Sequence, residues 1–218
     1  MMKIMIIGAT GRTGTEVMNQ ALEAGHEVIA YVRRPEALQP RKKLKIVGGQ
    51  LTDQELMRKT ASGCDAIVAT LGPKISDRNA KLMTTAVPEI ISAAKKANVD
   101  RIVILSALGV GETLKNTRYP YRMGAKTFLK GNFTDHSNGE SQLNHSGLKW
   151  TTIHPGPLFD GEKTDHPVIQ DASTGYKMPR APRTYRADVA YVILKVLKSP
   201  STYGKQLLVT STQKKKSR

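Results

Sequence analysis

A glycine-rich segment between an apolar run and a helix-forming run constrains the fold of this chain most strongly. The apolar residues at 4–7 are followed by GATGRTG at 8–14, and apolar residues at helical spacing continue to residue 24. A strand that turns sharply through glycines into a helix is typical of the first unit of a dinucleotide-binding fold. The alternative interpretation is a tight turn that holds no ligand.

The three glycines of this motif have separable physical roles. Gly8 permits the sharp turn, Gly11 lets the backbone approach a pyrophosphate, and Gly14 lets the helix pack closely on the strand. Backbone amides near Arg12 and Thr13, at the start of the helix, can then bind the phosphates. We therefore predict that a nucleotide binds at this turn.

Segments typical of strands and helices alternate along the rest of the chain. Strands are predicted at 3–7, 27–32, 44–47, 65–71, 101–105, 150–154 and 206–209. Helices are predicted at 11–24, 52–61, 81–97, 133–145 and 189–197. Pro88 predicts a kink or a late start in the third helix, and Asp188 is expected to cap the last one. This alternation predicts an α/β fold, a Rossmann-type doubly wound parallel sheet with helices on both faces.

The end of the second strand indicates which dinucleotide binds. An NAD-specific protein would place Asp or Glu there to hold the ribose 2′-hydroxyl, but this sequence has Arg33 and Arg34. A guanidinium group can pair with a 2′-phosphate, which a carboxylate would repel. We therefore predict NADP as the cofactor. The alternative is that both arginines only face solvent.

Composition limits the classes of function. The 218 residues suit one domain, expected at 1–212, with a basic tail at 213–218 that is expected to be disordered. A formal net charge of +16 favours anionic partners, but no helix-turn-helix, zinc spacing or RNA-binding motif is present, so we expect no specific nucleic-acid partner.

The same features bear on location and metal binding. No apolar run is long enough for a transmembrane helix, and no signal peptide is expected. The single cysteine, Cys64, fits a reducing compartment, so a cytoplasmic protein without a membrane partner is predicted. The histidines lack metal-ligand spacing, and no metal is expected.

Several motifs together resemble one protein family. They are GATGRTG (8–14), VRRPE (32–36), SGCDAIVATLG (62–72), RIVILSALG (101–109), SGLKWTTIHPGPL (146–158) and YRADVA (185–190). The chain resembles the single-domain NAD(P)H-binding proteins of the atypical short-chain dehydrogenase/reductase superfamily. This branch contains the biliverdin-beta/flavin reductases and the NmrA-like proteins.

The resemblance implies positions for the cofactor. Residues 10–13, beginning with Thr10, would wrap the diphosphate, and Arg33 would meet the 2′-phosphate. Leu71 and Gly72 would lie along the nicotinamide ribose, and Ser106 would lie beside the nicotinamide and the substrate.

The resemblance also implies that a turn beginning at His154, Pro155 and Gly156 closes over the nicotinamide carboxamide. Two departures from the family pattern concern the cofactor contacts. Gln50 stands where relatives often carry Asp, and His154 stands where NmrA-like relatives often carry Arg. The first can alter adenine contacts, and either can tune cofactor affinity.

The residue pair that many members of the superfamily use for catalysis, Tyr-x-x-x-Lys, is not found. Its spacing places both side chains on one helix face, but Lys126 follows Tyr121 by five residues. At roughly 100° per residue, the two would diverge by about 140° on a helix. Tyr119, Tyr121 and Lys126 are candidates for a substrate loop, and a structural role is the alternative.

Without that pair, hydride transfer to a conjugated acceptor is favoured over reduction of a simple ketone. A reduced flavin, quinone or linear tetrapyrrole can take its proton from water or a modest donor, whereas a ketone needs a dedicated acid. A flavin would be a substrate rather than a bound cofactor. Ser106 could donate a hydrogen bond to the acceptor, or only satisfy the local backbone.

The predicted polar helix contributes another candidate. His136 lies one turn before Glu140 and could donate a proton near neutral pH. A solvated helix face is the alternative. The long polar loops at 110–121 and 159–182 follow strands on the ligand side, and we predict that they form a substrate lid.

Three functions are therefore compared. The first is an NADPH-dependent reductase of a small conjugated acceptor. The second is an NmrA-like protein that binds NADP without turnover and acts on a regulatory protein partner. The third, nucleic-acid binding, would be non-specific and sensitive to salt.

Overall fold

The strands form one large sheet and one small one. The computed structural model describes residues 1–73, 77 and 79–212. Its strands are β1 (Lys3–Ile7), β2 (Glu27–Val32), β3 (Leu44–Gly48), β4 (Ala66–Ala69), β5 (Arg101–Leu105), β6 (Lys149–Pro155), β7 (Leu158–Phe159), β8 (Val168–Asp171), β9 (Thr184–Tyr185) and β10 (Lys205–Thr210).

Helices connect these strands. They are α1 (Arg12–Glu23), α2 (Gln54–Ala61), α3 (Leu82–Lys96), α4 (Tyr121–Lys126), α5 (Lys130–Ser141) and α6 (Arg186–Leu197). No helix in the described ranges has both the length and the apolar character needed to cross a membrane. The basic segment 213–218, which was expected to be disordered, lies outside the described residues.

The large sheet has the order β3-β2-β1-β4-β5-β6-β10-β8. Every neighbouring pair is parallel except β10 and β8, which are antiparallel. The chain moves outward from β1 to β3 and then returns to place β4 on the other side of β1. The predicted doubly wound Rossmann-type sheet is confirmed, and its topological switch point lies between β1 and β4, where such folds bind ligands.

Alternation along the strands supplies a core on each face of the sheet. Ile4 and Ile6 of β1 belong to the cluster that packs against α1 and α6, whereas Met5 and Ile7 belong to the cluster that packs against α2 and α3. Successive side chains of a strand point to opposite faces, so a strand covered on both sides is apolar throughout.

The polar helix α5 is buried against α3. Its buried positions are Asn132, Asp135, His136, Gly139 and Glu140. A Cβ atom at Gly139 would lie 2.5 Å from the backbone oxygen of Met83, so glycine is needed for this close approach. The solvated helix face considered as an alternative is therefore wrong.

Asp135 of α5 caps the first turn of α3. Its carboxylate accepts hydrogen bonds from the backbone nitrogens of Met83 and Thr84, each at 2.9 Å, and from Thr84 Oγ1 at 2.8 Å. These amides have no partner inside their own helix, so a neighbouring element supplies it. The helix begins at Leu82 and runs through Pro88, so the late start does not occur.

Asp188 does not cap α6, which corrects the sequence-based expectation. The helix begins at Arg186, and Asp188 lies fully buried inside its first turn. Its carboxylate accepts hydrogen bonds from Thr164 N at 2.7 Å, from Thr164 Oγ1 at 2.9 Å and from Ser211 Oγ. Asp188 thus ties the loop after β7 to the residues after β10.

The two long loops contain regular structure and contact each other, and their role as a substrate lid stays a prediction. Residues 168–171 of the second loop form β8 at the edge of the sheet, so this part of the loop is a strand. Buried Asn116 of the first loop donates hydrogen bonds to the backbone oxygens of Ala172 at 3.0 Å and Tyr176 at 2.8 Å. The two loops therefore hold each other in place.

The cap formed by Asp135 leads to a stability prediction. Replacing Asp135 with Ala should lower the free energy of unfolding by about 2 kcal/mol, since buried helix amides lose charged acceptors. Urea unfolding measures the change. The exposed Asp100, which pairs with Lys149 at 3.3 Å, provides the control, and Asp100→Ala should change the value by less than about 0.5 kcal/mol. Equal losses in the two variants would contradict the capping role.

Candidate active site

The glycine turn after β1 brings the start of α1 against the sheet. Gly8 has a φ of +89°, in the region that favours glycine, and Gly11 N donates to Gly8 O at 3.0 Å. A Cβ at Gly14 would lie 2.1 Å from Gly8 O. The first helical turn can therefore lie this close only if position 14 is glycine.

The start of α1 suits an anionic group. Gly11 is its N-cap residue, and no side chain accepts a hydrogen bond there. The free amides of the first turn and the positive end of the helix dipole can both act on a phosphate. Thr13 is buried, whereas Arg12 is exposed and lies 3.7 Å from Asp160.

A cavity of 260 Å³ lies at the carboxyl ends of β1, β2 and β4. The predicted cofactor residues that line it are Gly8, Thr10, Gly11, Arg33, Leu71 and Gly72. These residues lie far apart in sequence and meet at the switch point of the sheet. The glycine-rich turn and the adjacent cationic Arg33 fit a phosphate-bearing dinucleotide. Arg34 is exposed and does not line this cavity.

The side chain of Tyr31 contacts the loop after β3. The Tyr31 hydroxyl donates to Gln50 O at 2.7 Å, and a Cβ at Gly49 would lie 2.4 Å from that hydroxyl oxygen. Gln50, which departs from the family pattern, is therefore fixed through its backbone. Burial raises the pKa of Tyr31, so its hydroxyl stays a hydrogen-bond donor.

A second group of predicted residues lies at the ends of β5 and β6. The Ser106 hydroxyl donates to Glu140 Oε1, and Glu140 Oε2 lies 3.5 Å from His154 Nε2. His154 is fully buried, and its Nδ1 lies 3.0 Å from Ala107 O. The ring therefore lies beneath the surface, next to Ser106 and Glu140.

The residues that follow His154 are also buried. A Cβ at Gly156 would lie 2.8 Å from Pro182 Cβ, so this turn packs against the second long loop. Pro155 O accepts a hydrogen bond from Leu108 N at 2.8 Å. Closure of this turn over a nicotinamide carboxamide stays a prediction.

His136 of α5 lies near Gly72, which lines the cavity. Its Nε2 lies 3.9 Å from the place that a Cβ would take at Gly72, and its Nδ1 has no hydrogen-bond partner among the described residues. Burial lowers its pKa to about 4. The ring is therefore neutral near pH 7, and the expectation of a proton donor that titrates near neutral pH is wrong. Hydrogen bonding by the neutral ring to a ligand stays a prediction.

Tyr121 and Lys126 do not form a pair. Both lie on the short helix α4, where Lys126 is exposed and the Tyr121 hydroxyl donates to Leu108 O at 2.8 Å. Burial raises the pKa of Tyr121 to about 12. Tyr119 is 70% exposed. A role for Tyr121 in catalysis stays a prediction.

Sequence reasoning noted Glu140 only as a neighbour of His136 and missed its contact with Ser106. Its position one turn after His136 was the available signal, because residues four apart share a helix face.

The described residues contain no group of three or more metal-binding side chains.

The fold and the glycine turn define a dinucleotide-binding protein of the Rossmann class. A sequence profile of the NAD(P)H-binding family matches residues 8–200, so the chain belongs to that family. YwnB of Bacillus subtilis is 26% identical over an alignment that covers 96% of this chain and 99% of YwnB.

Solved structures share the fold. The oxidoreductase ylbE from Lactococcus lactis has a TM-score of 0.80 at 24% identity, covering 97% of this chain and 92% of that one. ChuY from Escherichia coli O157:H7, described as an anaerobillin reductase, has a TM-score of 0.78 at 21% identity, covering 98% of each. A short-chain dehydrogenase/reductase from Veillonella parvula in complex with NADP has a TM-score of 0.81 at 13% identity, covering 96% and 94%. The chain thus has the fold of NAD(P)-binding oxidoreductases.

The burial of His136 leads to a pH prediction. Its pKa of about 4 in the folded protein lies below the ordinary 6.5, so the unfolded chain binds more protons as the pH falls. The contribution of the neutral His136 ring to the free energy of unfolding is fully present above pH 6.5. It should fall by about 3 kcal/mol as the pH approaches 4. Urea unfolding between pH 7 and pH 4 should show a correspondingly weaker acid destabilisation in His136→Gln.

The control for that experiment is the exposed His166. His166→Gln should keep the acid destabilisation of the unchanged protein. If His136→Gln also keeps it, the imidazole is not held neutral by burial.

Proposed function

We propose that the protein is an NADPH-dependent reductase that transfers hydride to a flavin, quinone or similar conjugated acceptor. The observation that carries the proposal is the side-chain chemistry around Gly72 and the end of β5. A neutral His136 and the hydroxyl of Ser106 lie there, with Glu140 and His154 behind Ser106, and Tyr121 and Lys126 supply no Tyr–Lys pair.

This chemistry suits an acceptor that needs little help with its proton. Bound NADPH supplies the hydride, and the acceptor takes one proton, so NADPH, acceptor and proton give NADP⁺ and reduced acceptor. A conjugated ring spreads the incoming charge, and water or a modest donor is then sufficient. The protein's contribution is to orient the reacting groups and exclude competing reactions. The reductase description of ChuY supports the same class of activity.

The preference for NADPH rests on Arg33. This residue follows β2 directly and lines the cavity, where its guanidinium can pair with a 2′-phosphate. Arg34 is the matched neighbour that does not line the cavity. The two arginines therefore give a controlled pair of variants at adjacent positions.

We predict that Arg33→Ala weakens NADPH binding at least tenfold and NADH binding less than twofold, because only NADPH carries the 2′-phosphate. Isothermal titration calorimetry with each nucleotide measures both constants. Arg34→Ala should change either constant less than threefold. Equal loss of NADPH and NADH binding in Arg33→Ala would rule out the 2′-phosphate contact.

The activity itself is tested by anaerobic oxidation of NADPH with FMN or a quinone, followed at 340 nm as the usual nicotinamide absorbance, with NADH as the comparison. Turnover that prefers NADPH is the expected result. Tight NADPH binding without turnover on any acceptor would contradict the reductase proposal. It would instead favour a regulatory protein that binds NADP and a protein partner.

A further inference from the structure

The buried cluster of Ser106, Glu140 and His154 has a fixed order of donors and acceptors. It starts at His154 Nδ1, which lies 3.0 Å from Ala107 O. A carbonyl oxygen only accepts, so Nδ1 carries a hydrogen and donates it. The other ring nitrogen, Nε2, lies 2.8 Å from Thr152 Oγ1 and 3.5 Å from Glu140 Oε2.

The two oxygens of Glu140 face different neighbours. Oε2 lies near His154 and accepts from Gln206 Nε2 at 3.4 Å, whereas Oε1 faces the Ser106 hydroxyl. In the structure the Ser106 hydroxyl is the donor and Glu140 Oε1 the acceptor, so the hydroxyl hydrogen points toward Glu140.

This direction decides what Ser106 offers to a ligand. Ile104 of β5 pairs with Ala69 of β4, so Ser106 and Gly72 follow the ends of adjacent strands. A hydroxyl has one hydrogen and two lone pairs. With its hydrogen held by Glu140, Ser106 has only lone pairs left for a group bound at these strand ends.

We propose that Glu140 is a positioning residue that makes Ser106 a hydrogen-bond acceptor, so that the site selects conjugated acceptors carrying an N–H group, such as flavins. Quinones that present only carbonyl oxygens would form no hydrogen bond with Ser106, because the lone pairs of both oxygens would face and repel each other. The inference rests on the proposed reductase activity and narrows its substrate class. It also reverses the expectation that Ser106 donates to the acceptor.

Lumiflavin and N3-methyllumiflavin make a matched pair of probes, because they differ in one N–H group. Two quantities are measured: kcat/KM with NADPH under anaerobic conditions, and the Kd of each flavin for the protein–NADP⁺ complex from flavin fluorescence. The unchanged protein should prefer lumiflavin at least tenfold in both. A site built around a hydrogen bond discriminates strongly against a ligand that lacks it.

Substitutions separate positioning from other roles. Ser106→Ala should bring the preference to within twofold, and Glu140→Leu should do the same by releasing the hydroxyl. Glu140→Gln should keep the preference, because an amide oxygen still accepts from Ser106 while the amide N–H group faces His154 and the Gln206 side chain, whose amide can turn its oxygen toward that group. Ser199→Ala, at a serine whose hydroxyl bonds Lys195 O at the end of α6, is the control and should keep it.

Specific outcomes would overturn the inference. These are equal affinity and turnover for the two flavins in the unchanged protein, or a preference that survives Ser106→Ala. Loss of the preference in Glu140→Gln would also overturn it, since the carboxyl would then act by carrying a proton. A loss of NADPH affinity in Ser106→Ala with the flavin preference intact would mean that Ser106 serves the cofactor.

The two measurements also separate this inference from the proposed function. A binding preference for lumiflavin without turnover of either flavin would remove the reductase activity and leave the selection intact. Turnover without any preference would do the reverse. Thermal unfolding of Glu140→Leu shows whether that variant folds, and if it does not, Ser106→Ala and Glu140→Gln decide the question.

Discussion

The contact between the first turn of α1 and the backbone of Gly8 is the constraint on which the site depends. Because Gly14 has no side chain, the helix can approach the β1 turn closely. A Cβ at this position would lie only 2.1 Å from Gly8 O and would prevent the contact. This approach sets the helix N-terminus at the switch point between β1 and β4. The free helix amides take their position from it, and Arg33 reaches the same cavity from the end of β2.

Helix α5 also positions the site, and its contacts with the rest of the protein are made largely by polar groups. Asp135 binds the first amides of α3, while His136 lies near Gly72 and Glu140 contacts Ser106 after β5. A helix usually packs through an apolar stripe. Here glycine at position 139 gives the close approach, and hydrogen bonds supply part of the contact energy that apolar side chains give elsewhere.

The sequence was sufficient for the parts of the fold that follow local periodicity. The strands at 3–7, 27–32 and 101–105 match residue for residue, because each is a continuous apolar run after a charged first residue, as doubly buried parallel strands require. Glycine spacing predicted Gly8 and Gly11 at the cavity, and the end of the second strand predicted Arg33. The family resemblance supplied Thr10, Leu71 and Gly72. The pattern could not predict β8, because a four-residue edge strand depends on its pairing with β10 rather than on its own sequence.

The remaining misses concern polar groups whose partners are distant in the chain. Asp188 is a residue type typical of helix caps, but its carboxylate accepts hydrogen bonds from Thr164 and Ser211. Only the folded chain brings these two residues to it. Glu140 looks like a solvated residue on a polar helix, and its partner Ser106 directly follows β5, 34 residues earlier. Propensity and periodicity describe neighbours along the chain, so contacts of this kind are invisible to them.

Because α5 carries both residues that contact α3 and residues that face the site, it constrains how the sequence of this protein can change in evolution. Groups that hold α3 and groups that face the site alternate within the six residues from Asp135 to Glu140. A shift or rotation of the helix that reshaped the site would also withdraw the carboxylate from the α3 amides. Changes in ligand preference are therefore expected to arise by exchanging single side chains on a fixed helix, and relatives should differ at positions 136 and 140 more readily than in the placement of the helix itself.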